Sequence, residues 1–590
     1  MTVRVTFKTP YAALALLVLL SVPSCLGDAD DPTDAGVAGA GGEMGGGTTV
    51  TGGARADGGL GGGNLGGFGG KAPADPDAFV FVWLVDDLPK QLPLAGNGTY
   101  DFVVDWGDGM TSKVTSSTDN DGAHEYDAPG EYVVTIHGTF EGCAFPASDY
   151  CVAWEEVDPG YEDNAPCAHY ASEAYLLLEI RQWGRFRFGN VAGAFRDAAD
   201  LVITATDVPD LSPPTTLARA FQDCSALEDI PSVDRWDVSQ VSSMWGTFYG
   251  ATAFTGDLSG WDTAEVDQMD HMFHDASTFN ADISGWNTAD VSTMTEMFHG
   301  ASAFNADISD WDTSSVTSMS EMFADATSFD RDLPWNTAKV LYMNGMFSGA
   351  TAFNGDISDW KTRSVLTMAA MFDGAAAFNA DISDWNTSNV FDMTAMFAGA
   401  AAFNADISDW DTADVVTMAN MFAGATAFNA DISAWDTSDL NAMEGMFANA
   451  KAFNADISGW DTSGVEVMGS VFSGATAFNQ DLASWDLSAV WITSYMFSGA
   501  TSFDQDLSSW DVSGVFDATA MLSGSGLSTE NYDALLISWA AQNTQVGVDF
   551  GVGDVQYSAA AAEARALLIS GSAWSITDGG QILGAGGAPP

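Results

Sequence analysis

A 25-residue period dominates the pattern of apolar positions along this chain. Counted from a recurring Trp, Val stands mostly at +5, Met at +8, Met-Phe at +11/+12, Gly-Ala at +14/+15, Phe at +18 and Asp-Ile at +21/+22. The offsets +8, +11, +12 and +15 lie on one helical face, so the pattern predicts a helix of about two turns that ends at the Gly. The Asp-Ile-Ser-x-Trp segment predicts a strand-like edge that stacks on its copies. Twelve tryptophans define the period, with one residue deleted before Trp335: Trp236, Trp261, Trp286, Trp311, Trp335, Trp360, Trp385, Trp410, Trp435, Trp460, Trp485 and Trp510.

A unit of this length cannot bury its own apolar face, because a two-turn helix is not stable alone. Tandem copies must therefore cover one another. The pattern predicts an α/β solenoid, similar to a leucine-rich repeat, with about 12–14 coils over residues 175–522. The Met positions are expected to fill gaps in its core.

Residues 1–25 have the pattern of a lipoprotein signal peptide. Arg4 and Lys8 precede an apolar run, Tyr11 to Val22, which is too short to span a bilayer but suits a signal-peptide core. The following Pro23-Ser24-Cys25 resembles the bacterial lipobox. That resemblance implies lipidation of Cys25 and, because Leu26 follows, sorting to the outer membrane. An ordinary secretory peptide cut nearby is the alternative.

Two further segments separate the signal peptide from the repeats. Residues 26–75 are rich in Gly and predict a flexible tether. Residues 76–140 contain three β-type stretches, at 78–84, 100–106 and 131–136. Trp106-Gly107-Asp108-Gly109, together with the segment from His124 to Tyr132, resembles PKD-type Ig-like β-sandwich modules, which implies a spacer or binding module. For Asp105 and Asp108, hydrogen bonding to turn amides is favoured over an ion site.

The repeat itself resembles a known family. The recurring Ala-Phe-Asn-Ala-Asp-Ile-Ser-x-Trp-Asp-Thr-Ser-x-Val-x-x-Met-x-x-Met-Phe is similar to the BspA-family leucine-rich-repeat surface proteins, whose repeat is of the mycoplasma-lipoprotein type. The resemblance covers about residues 78–580 and is interrupted near 143–167. It implies an extracellular adhesion or protein-binding role. Two stretches, 527–536 and 557–565, match the family's ending and predict two amphipathic helices in a C-terminal cap at 523–590.

The charge balance narrows the choice of partners. The chain has 18 Lys+Arg and 81 Asp+Glu, a net charge of −63. This balance disfavours binding to nucleic-acid phosphates and to anionic lipid headgroups. Asp occupies +21 in eleven coils and +1 in eight of twelve. We expect each +21 carboxylate to accept a backbone N–H at a turn. The alternative is cation binding along the column, with Ca²⁺ as the ion, and no other cofactor is expected.

Candidate chemistry is sparse. His271 and His274 are three residues apart, and His299 occupies the column of His274 one coil later, with Asp270 and Asp275 alongside. These histidines are the candidates for a surface Zn²⁺ or Ni²⁺ site, although solvent-facing variation is favoured and no metal site is assigned. Paired carboxylates recur in most coils, whereas a catalytic pair should be singular. No triad elbow, P-loop or dinucleotide fingerprint occurs, so we expect no enzyme.

The sequence contains cysteines whose disulfide pairing has to be considered. Cys143, Cys151 and Cys167 lie in an insertion at 141–174, where an oxidising compartment favours a disulfide. Cys224 falls inside an early coil and is expected to be a small buried core residue. The connectivity among the four stays open.

These features together predict a non-catalytic bacterial cell-surface lipoprotein that mediates adhesion or protein or glycan binding through its solenoid. The expected partners are an extracellular protein, a glycan or other cells, with cationic or sugar ligands preferred by the acidic surface. The expected location is the cell surface, outer-membrane-anchored or secreted, and membrane contact is made only through the lipid anchor. The alternative is a structural envelope or matrix protein that associates with itself.

Overall fold

The computed structural model describes residues 75–86, 89–144 and 176–582. The chain divides into two units, Met1–Asp75 and Pro76–Pro590, and all but one of the described residues belong to the second. The signal peptide with Cys25, the tether, Cys151 and Cys167 lie outside the described residues.

Short strands and turns, with few helices, build the described part of the chain. No helix in these residues is long and apolar enough to cross a membrane. The two α-helices are α1 (Thr529–Trp539) and α2 (Ala562–Gly571), and short 3₁₀ turns span Asn120–Gly122 and Val233–Arg235. The strands are β1 (Phe79–Val85), β2 (Lys90–Gln91), β3 (Leu94–Asp105), β4 (Thr111–Val114), β5 (Ala123–His124), β6 (Gly130–Cys143), β7 (Leu177–Gln182), β8 (Phe186–Arg187), β9 (Val202–Ile203), β10 (Asp517–Ala518), β11 (Asp549–Gly551) and β12 (Ser575–Thr577).

One seven-stranded sheet contains the three β-type stretches expected between residues 76 and 140. Its order is β4-β3-β6-β1-β7-β9, with β8 also paired to β6, while β2 and β5 form a separate two-stranded ribbon. Strand β6 continues to Cys143, and β7 pairs with the free edge of β1. Strands β7, β8 and β9, which follow residue 174, thus extend this sheet by backbone hydrogen bonds.

The turn after β3 explains the Trp-Gly-Asp-Gly motif. Asp105 Oδ1 accepts the amide of Gly107 at 3.0 Å, and Asp108 Oδ1 accepts the amide two residues further on at 2.9 Å. The prediction of turn hydrogen bonding for both carboxylates is confirmed. Asp108 Oδ2 also lies 2.7 Å from His124 Nε2, and the imidazole stacks on Trp106 at 4.8 Å. The motif residues thus hold the β3–β4 turn against β5.

A parallel ladder joins the coils of the repeat, each coil counted from its Trp. Each contributes one bridging residue at +7, and the series extends into β10, β11 and β12. The expected strand edge at Asp-Ile-Ser-x-Trp is wrong, because that segment folds as a turn in which Trp311 N donates to Ile308 O at 3.2 Å. The bridging residues are Ser243, Gln268, Thr293, Ser318, Tyr342, Thr367, Asp392, Thr417, Ala442, Val467, Ile492 and Asp517.

The predicted two-turn helix of the repeat is also wrong, although the predicted apolar positions are all buried. The segment is a run of turns in which alternate amides bond three residues back or to the next coil. An α-helix would satisfy its amides internally and offer none to a neighbour. In this segment, by contrast, each coil donates about half of its backbone amides to carbonyls of the next coil. In one coil the amides of Met294, Glu296, Phe298 and Gly300 donate to the next coil, and those of Met297, His299 and Ala301 donate within the coil.

Left-handed backbone at two offsets makes this alternation feasible. Position +10 is left-handed, as at Glu296 with φ 53°, and so is +14, as at Gly300 with φ 68°. The +14 residue is Gly, Asp or Asn in every coil, and these are the residues that tolerate this conformation best. Gly300 and its equivalents are therefore internal to the run of turns rather than helix C-caps.

Three aromatic columns fill the core of the coils. The ring centroid of Phe298 lies 3.9 Å from that of Phe304 in its own coil and 5.7 Å from that of Phe323 in the next coil. Trp286 and Trp311 stack at 6.2 Å with planes 4° apart. The Met positions pack among them and are fully buried, as expected.

Each buried Trp also needs a partner for its indole N–H. Eleven of the twelve donate to a carbonyl 27 or 28 residues earlier in the chain, as Trp311 does to Ile283 O at 3.1 Å. Trp236, the first in the column, has no such partner.

An asparagine ladder, which the motif analysis did not single out, runs along +19. Asn404 Oδ1 accepts the amide of Asn429 at 2.7 Å, and the amide of Asn404 donates to Asn379 Oδ1 at 2.7 Å. Ten such bonds connect Asn280 to Ser528, with Asp replacing Asn at two positions. The ladder therefore requires a side-chain oxygen as acceptor, which Asn and Asp both provide, and does not require the side-chain NH₂ group of Asn.

Two helices occupy the C-terminal end: α1 overlaps most of the predicted stretch 527–536, whereas α2 shares only residues 562–565 with the predicted stretch 557–565. Ser528 caps α1, and Tyr532 of α1 donates to Asp578 Oδ2 at 2.8 Å. Arg565 of α2 binds the same carboxylate through Nε at 2.7 Å and Nη2 at 3.1 Å. Asp578 is 2% exposed, so this charge is paired inside the cap.

Replacing Trp410 by Phe tests the indole ladder. We expect Trp410→Phe to lower the free energy of unfolding by about 0.5–1.5 kcal/mol more than Trp236→Phe, because only the former removes an indole hydrogen bond, while Ile382 O keeps the amide of Trp385. Urea unfolding followed by circular dichroism measures both. Equal losses in the two variants would show that ring volume alone matters.

Replacing Asn404 by Ala tests the asparagine ladder. The loss of one inter-coil acceptor at an exposed position should cost about 0.5–1.5 kcal/mol. Asn404→Asp serves as the matched control, since Asp330 and Asp504 fill the same role in other coils. A control variant as unstable as Asn404→Ala would contradict the interpretation.

Candidate functional site

Stacking of equivalent positions brings residues one repeat apart into contact on the outer face of the turns. In four successive coils this face carries a group that we call the histidine–glutamate cluster. Its members come from +10, +13 and +14, beside the buried +8, +11, +12 and +15 positions: Tyr249, His271, His274, Asp275, Glu296, His299 and Glu321.

Glu296 lies at the centre of this cluster. Its Oε2 is 3.2 Å from His271 Nδ1 and 3.2 Å from His274 Nε2. His274 Nδ1 in turn lies 3.2 Å from Asp275 Oδ2. One carboxylate is thus shared by two imidazoles, and a second carboxylate lies on the far side of His274.

Aromatic stacking covers His274. Its ring lies between Tyr249 at 4.3 Å and His299 at 4.5 Å, with each pair of planes 9° from parallel. His274 is 9% exposed, whereas His299 is less buried and has Glu321 Oε2 3.5 Å from its Nδ1. The Nδ1 atoms of both histidines are buried and make no well-directed hydrogen bond.

The carboxylates control the protonation of this cluster. Burial disfavours the imidazolium of His274, but the adjacent carboxylates of Asp275 and Glu296 outweigh it and raise its pKa to about 9. Burial likewise opposes ionisation of Glu296, yet His271 and His274 hold its pKa well below the usual range. The pKa of Asp275 is lowered by the neighbouring imidazole of His274.

The three sequence candidates, His271, His274 and His299, are therefore brought together. Asp270 instead accepts hydrogen bonds from Thr293 and Thr295 of the next coil. Sequence reasoning missed Glu296 and Tyr249, although the repeat period relates Glu296 to His271 and Tyr249 to His274. Within the described residues, the potential metal-binding group consists of His274, Glu296 and His299, whose ligand atoms lie within 4.8 Å of one another.

The acidic columns have a structural role. Ten of the eleven +21 carboxylates accept the backbone N–H two residues on, as Asp307 Oδ1 does from Ser309 at 3.1 Å, so the prediction is confirmed at these ten. The eleventh, Asp332, accepts the amide of Asp356 in the next coil. The bond from Ser309 lowers the pKa of Asp307. At +1, Asp or Asn makes the same turn bond, as Asp312 does to Ser314 at 2.9 Å. Calcium binding along the +21 column stays a prediction.

An exposed aromatic pair marks the last coils. Trp491 and Phe516 occupy +6 of successive coils, are 39% and 51% exposed, and lie 5.2 Å apart. Their backbone continues a chain of inter-coil bonds from Glu466, since Trp491 N donates to Glu466 O and Phe516 N to Trp491 O, both at 3.0 Å. Large exposed apolar residues in the coils are otherwise few among the described residues: Tyr342 and Tyr495.

The described cysteines are buried and unpaired. Cys143 Sγ lies 3.3 Å from Ala194 O, and Cys224 Sγ lies 3.2 Å from Phe195 O. Burial raises the pKa of both thiols. The interpretation of Cys224 as a small core residue is confirmed, while any pairing of Cys151 or Cys167 lies outside the described residues.

Comparison with protein families identifies the class. The chain matches the family described as "Mycoplasma protein of unknown function, DUF285" three times, at residues 215–334, 333–435 and 418–535. Together these matches span more than half of the chain. The chain therefore belongs to this repeat family. No curated protein matches it.

Replacing Glu296 by Gln tests the geometry of the cluster. Loss of the carboxylate 3.2 Å from Nε2 should lower the pKa of His274 by about one pH unit or more in protein freed of metal by EDTA. Histidine NMR titration measures the change. Glu321→Gln is the control, because Glu321 contacts His299. An equal effect of both variants would contradict the arrangement.

Proposed function

We propose that this protein is a non-catalytic bacterial cell-surface lipoprotein whose repeats form a leucine-rich-repeat-like solenoid that binds a glycan or protein. Family membership supports a repeat protein, and the continuous inter-coil ladder supports a solenoid. The resemblance of the repeat to BspA-family surface proteins supports adhesion to cells or matrix.

The exposed pair of Trp491 and Phe516 carries the proposal of binding. Most large aromatic rings of the coils are buried in three core columns, so exposing two in adjacent coils forgoes burial that the same fold provides to the column rings. Exposed apolar patches rimmed by polar groups mark interaction sites. The same +6 position is Glu466 in the coil before Trp491 and Asn441 in the coil before that.

A glycan fits this column best among the expected ligands. The apolar faces of a sugar ring pack on aromatic rings, and its hydroxyl groups donate to carboxylate and amide oxygens. Successive residues of a sugar chain would meet Phe516, Trp491, Glu466 and Asn441 in turn. The acidic columns nearby keep the stack soluble and disfavour anionic polymers.

Attachment to the surface follows from the segments that precede the N-terminal sheet. We propose that Cys25 carries the lipid, that residues 26–75 act as the tether, and that the N-terminal sheet is a PKD-like spacer. A flexible tether lets a rigid stack reach ligands away from the membrane. The protein would then lie outside the outer membrane, or be secreted if the peptide is cut elsewhere.

The paired carboxylates support a non-enzymatic role. Asp307 and its equivalents bind their own turn amides in coil after coil, so their abundance has a structural cause. A catalytic acid–base pair needs two groups with separated pKa values. In this column, by contrast, hydrogen bonds from the hydroxyl and the amide of the serine two residues on hold the pKa of Asp307, Asp406 and Asp456 below its usual value.

Self-association is the second candidate function. The cap exposes several apolar side chains on or near its two helices, and these could meet another copy end to end. They are Ile537, Leu567, Ile569 and Ile582. Light scattering of the purified protein measures this association.

Replacing Trp491 and Phe516 by Ala tests glycan binding. In a glycan-array and whole-cell screen, the double variant should lose at least about tenfold in affinity, because stacking area is removed. Tyr342→Ala, which removes a ring of 41% exposure elsewhere, should bind as the parent does. Undiminished binding by the double variant would contradict the site. Self-association without binding to any glycan, protein or cell would favour the structural role.

A further inference from the structure

We propose that His274, Glu296 and His299 bind one divalent transition-metal ion of the Zn²⁺ class, which joins two successive coils. This function is separate from ligand binding at the aromatic pair. The three side chains are brought together by stacking, and one ligand atom of each lies within 4.8 Å of the others. His274 Nε2 and Glu296 Oε2 are already 3.2 Å apart.

The chemical type of the three ligand groups determines which metal ion the site prefers. Two imidazoles and one carboxylate suit Zn²⁺ and its neighbours better than the oxygen-preferring Ca²⁺ or Mg²⁺. Tetrahedral Zn²⁺ holds its ligand atoms about 3.3 Å apart, which is close to the separation seen between His274 and Glu296. Three protein ligands leave a fourth position for water or for a group from a partner.

The unpaired ring nitrogens are a second, independent observation. The Nδ1 atoms of His274 and His299 are buried without a well-directed hydrogen bond, and His274 is 9% exposed. Buried polar atoms are nearly always paired, whereas the carboxylates beside these two, Asp275 Oδ2 at 3.2 Å and Glu321 Oε2 at 3.5 Å, are not aligned for a hydrogen bond.

Outer carboxylates stand where a metal-bound histidine needs them. Asp275 Oδ2 lies 3.2 Å from Nδ1 of His274, and Glu321 Oε2 lies 3.5 Å from Nδ1 of His299. Metal-ligating histidines usually donate their second N–H to such a group, which fixes the ring. The cluster repeats this histidine–carboxylate pair in two coils.

Backbone hydrogen bonds join the two coils under the site, so the side chains have to accommodate a metal ion. Gly250 N donates to His274 O and Asp275 N to His299 O, both at 2.7 Å, so the coils cannot separate. The two rings are stacked at 4.5 Å, and a shared metal must lie near both ring planes. Ligation therefore requires His299, the less buried of the two, to turn about its Cβ–Cγ bond.

Zinc titration of the purified full chain, stripped with EDTA, tests the site. Millimolar Mg²⁺ is kept present to occupy weak carboxylate sites. We expect one saturable equivalent by calorimetry and a higher melting temperature with Zn²⁺. His274→Gln, Glu296→Gln and His299→Gln should each weaken binding at least about tenfold. Co²⁺ should give the visible absorption of a tetrahedral site in the parent and lose it in the variants.

The control is His124→Gln, which removes a histidine paired with Asp108 in the N-terminal sheet. It should bind Zn²⁺ as the parent does. Circular dichroism and melting of the metal-free variants verify that they fold. The proposal is overturned if the parent binds no saturable equivalent, or if the His274→Gln/His299→Gln double variant is folded and binds Zn²⁺ as tightly as the parent.

Discussion

The alternating hydrogen bonds of the turn segment are the constraint on which the rest of the repeat structure depends. In each coil, amides such as those of Met294, Glu296 and Phe298 donate to the next coil instead of closing a helix. This spacing requires left-handed backbone at +10 and +14, and it brings equivalent side chains into contact. The aromatic columns, the indole bonds and the asparagine ladder all depend on that register. A one-residue deletion before Trp335 is absorbed in the turn without breaking the ladder, since Ser318 still bridges Tyr342.

Side-chain oxygens accept backbone amides that the backbone carbonyls leave unpaired. The run of turns leaves amides to be paired beside +19, +21 and +1, and Asn or Asp supplies an acceptor at each place. This explains much of the net charge of −63, because carboxylates are used as turn acceptors. The +1 column holds Asp at eight positions, Asn at three and Lys361 at one, so a turn acceptor is the rule there, with one exception. The +21 column keeps Asp in all eleven coils.

The hydrogen-bonded framework of the coils leaves some side-chain positions free to vary. Columns +6, +10 and +13 vary from coil to coil, and there the chain carries its unusual side chains. In the early coils they form the histidine–glutamate cluster, and in the late coils the pair of Trp491 and Phe516. Two sites so far apart in sequence can evolve on one framework without disturbing each other, since contacts in a stacked array are local.

The sequence alone determined the repeat, its buried positions and the three strands of the N-terminal sheet. Periodicity reports which side chains face inward, and Met294, Met297 and Phe298 are buried as their spacing requires. It also placed His271, His274 and His299 in neighbouring positions and assigned the Asp307 column to turn bonding. Hydrogen-bond acceptors that recur once in every coil are local features, and a pattern can show them.

Only the tertiary structure decided the backbone of the repeat and the partners of its side chains. The offsets +8, +11, +12 and +15 fit an α-helix and a run of alternating turns equally well, because both place these side chains on one face. The helix and the run of turns differ in the carbonyl acceptors of their backbone amides. Half of those acceptors lie on a neighbouring coil, one full repeat away in sequence. For the same reason Glu296 became the centre of the histidine cluster, and strand β7 joined the sheet of β1. Long-range pairing, rather than local preference, fixed both.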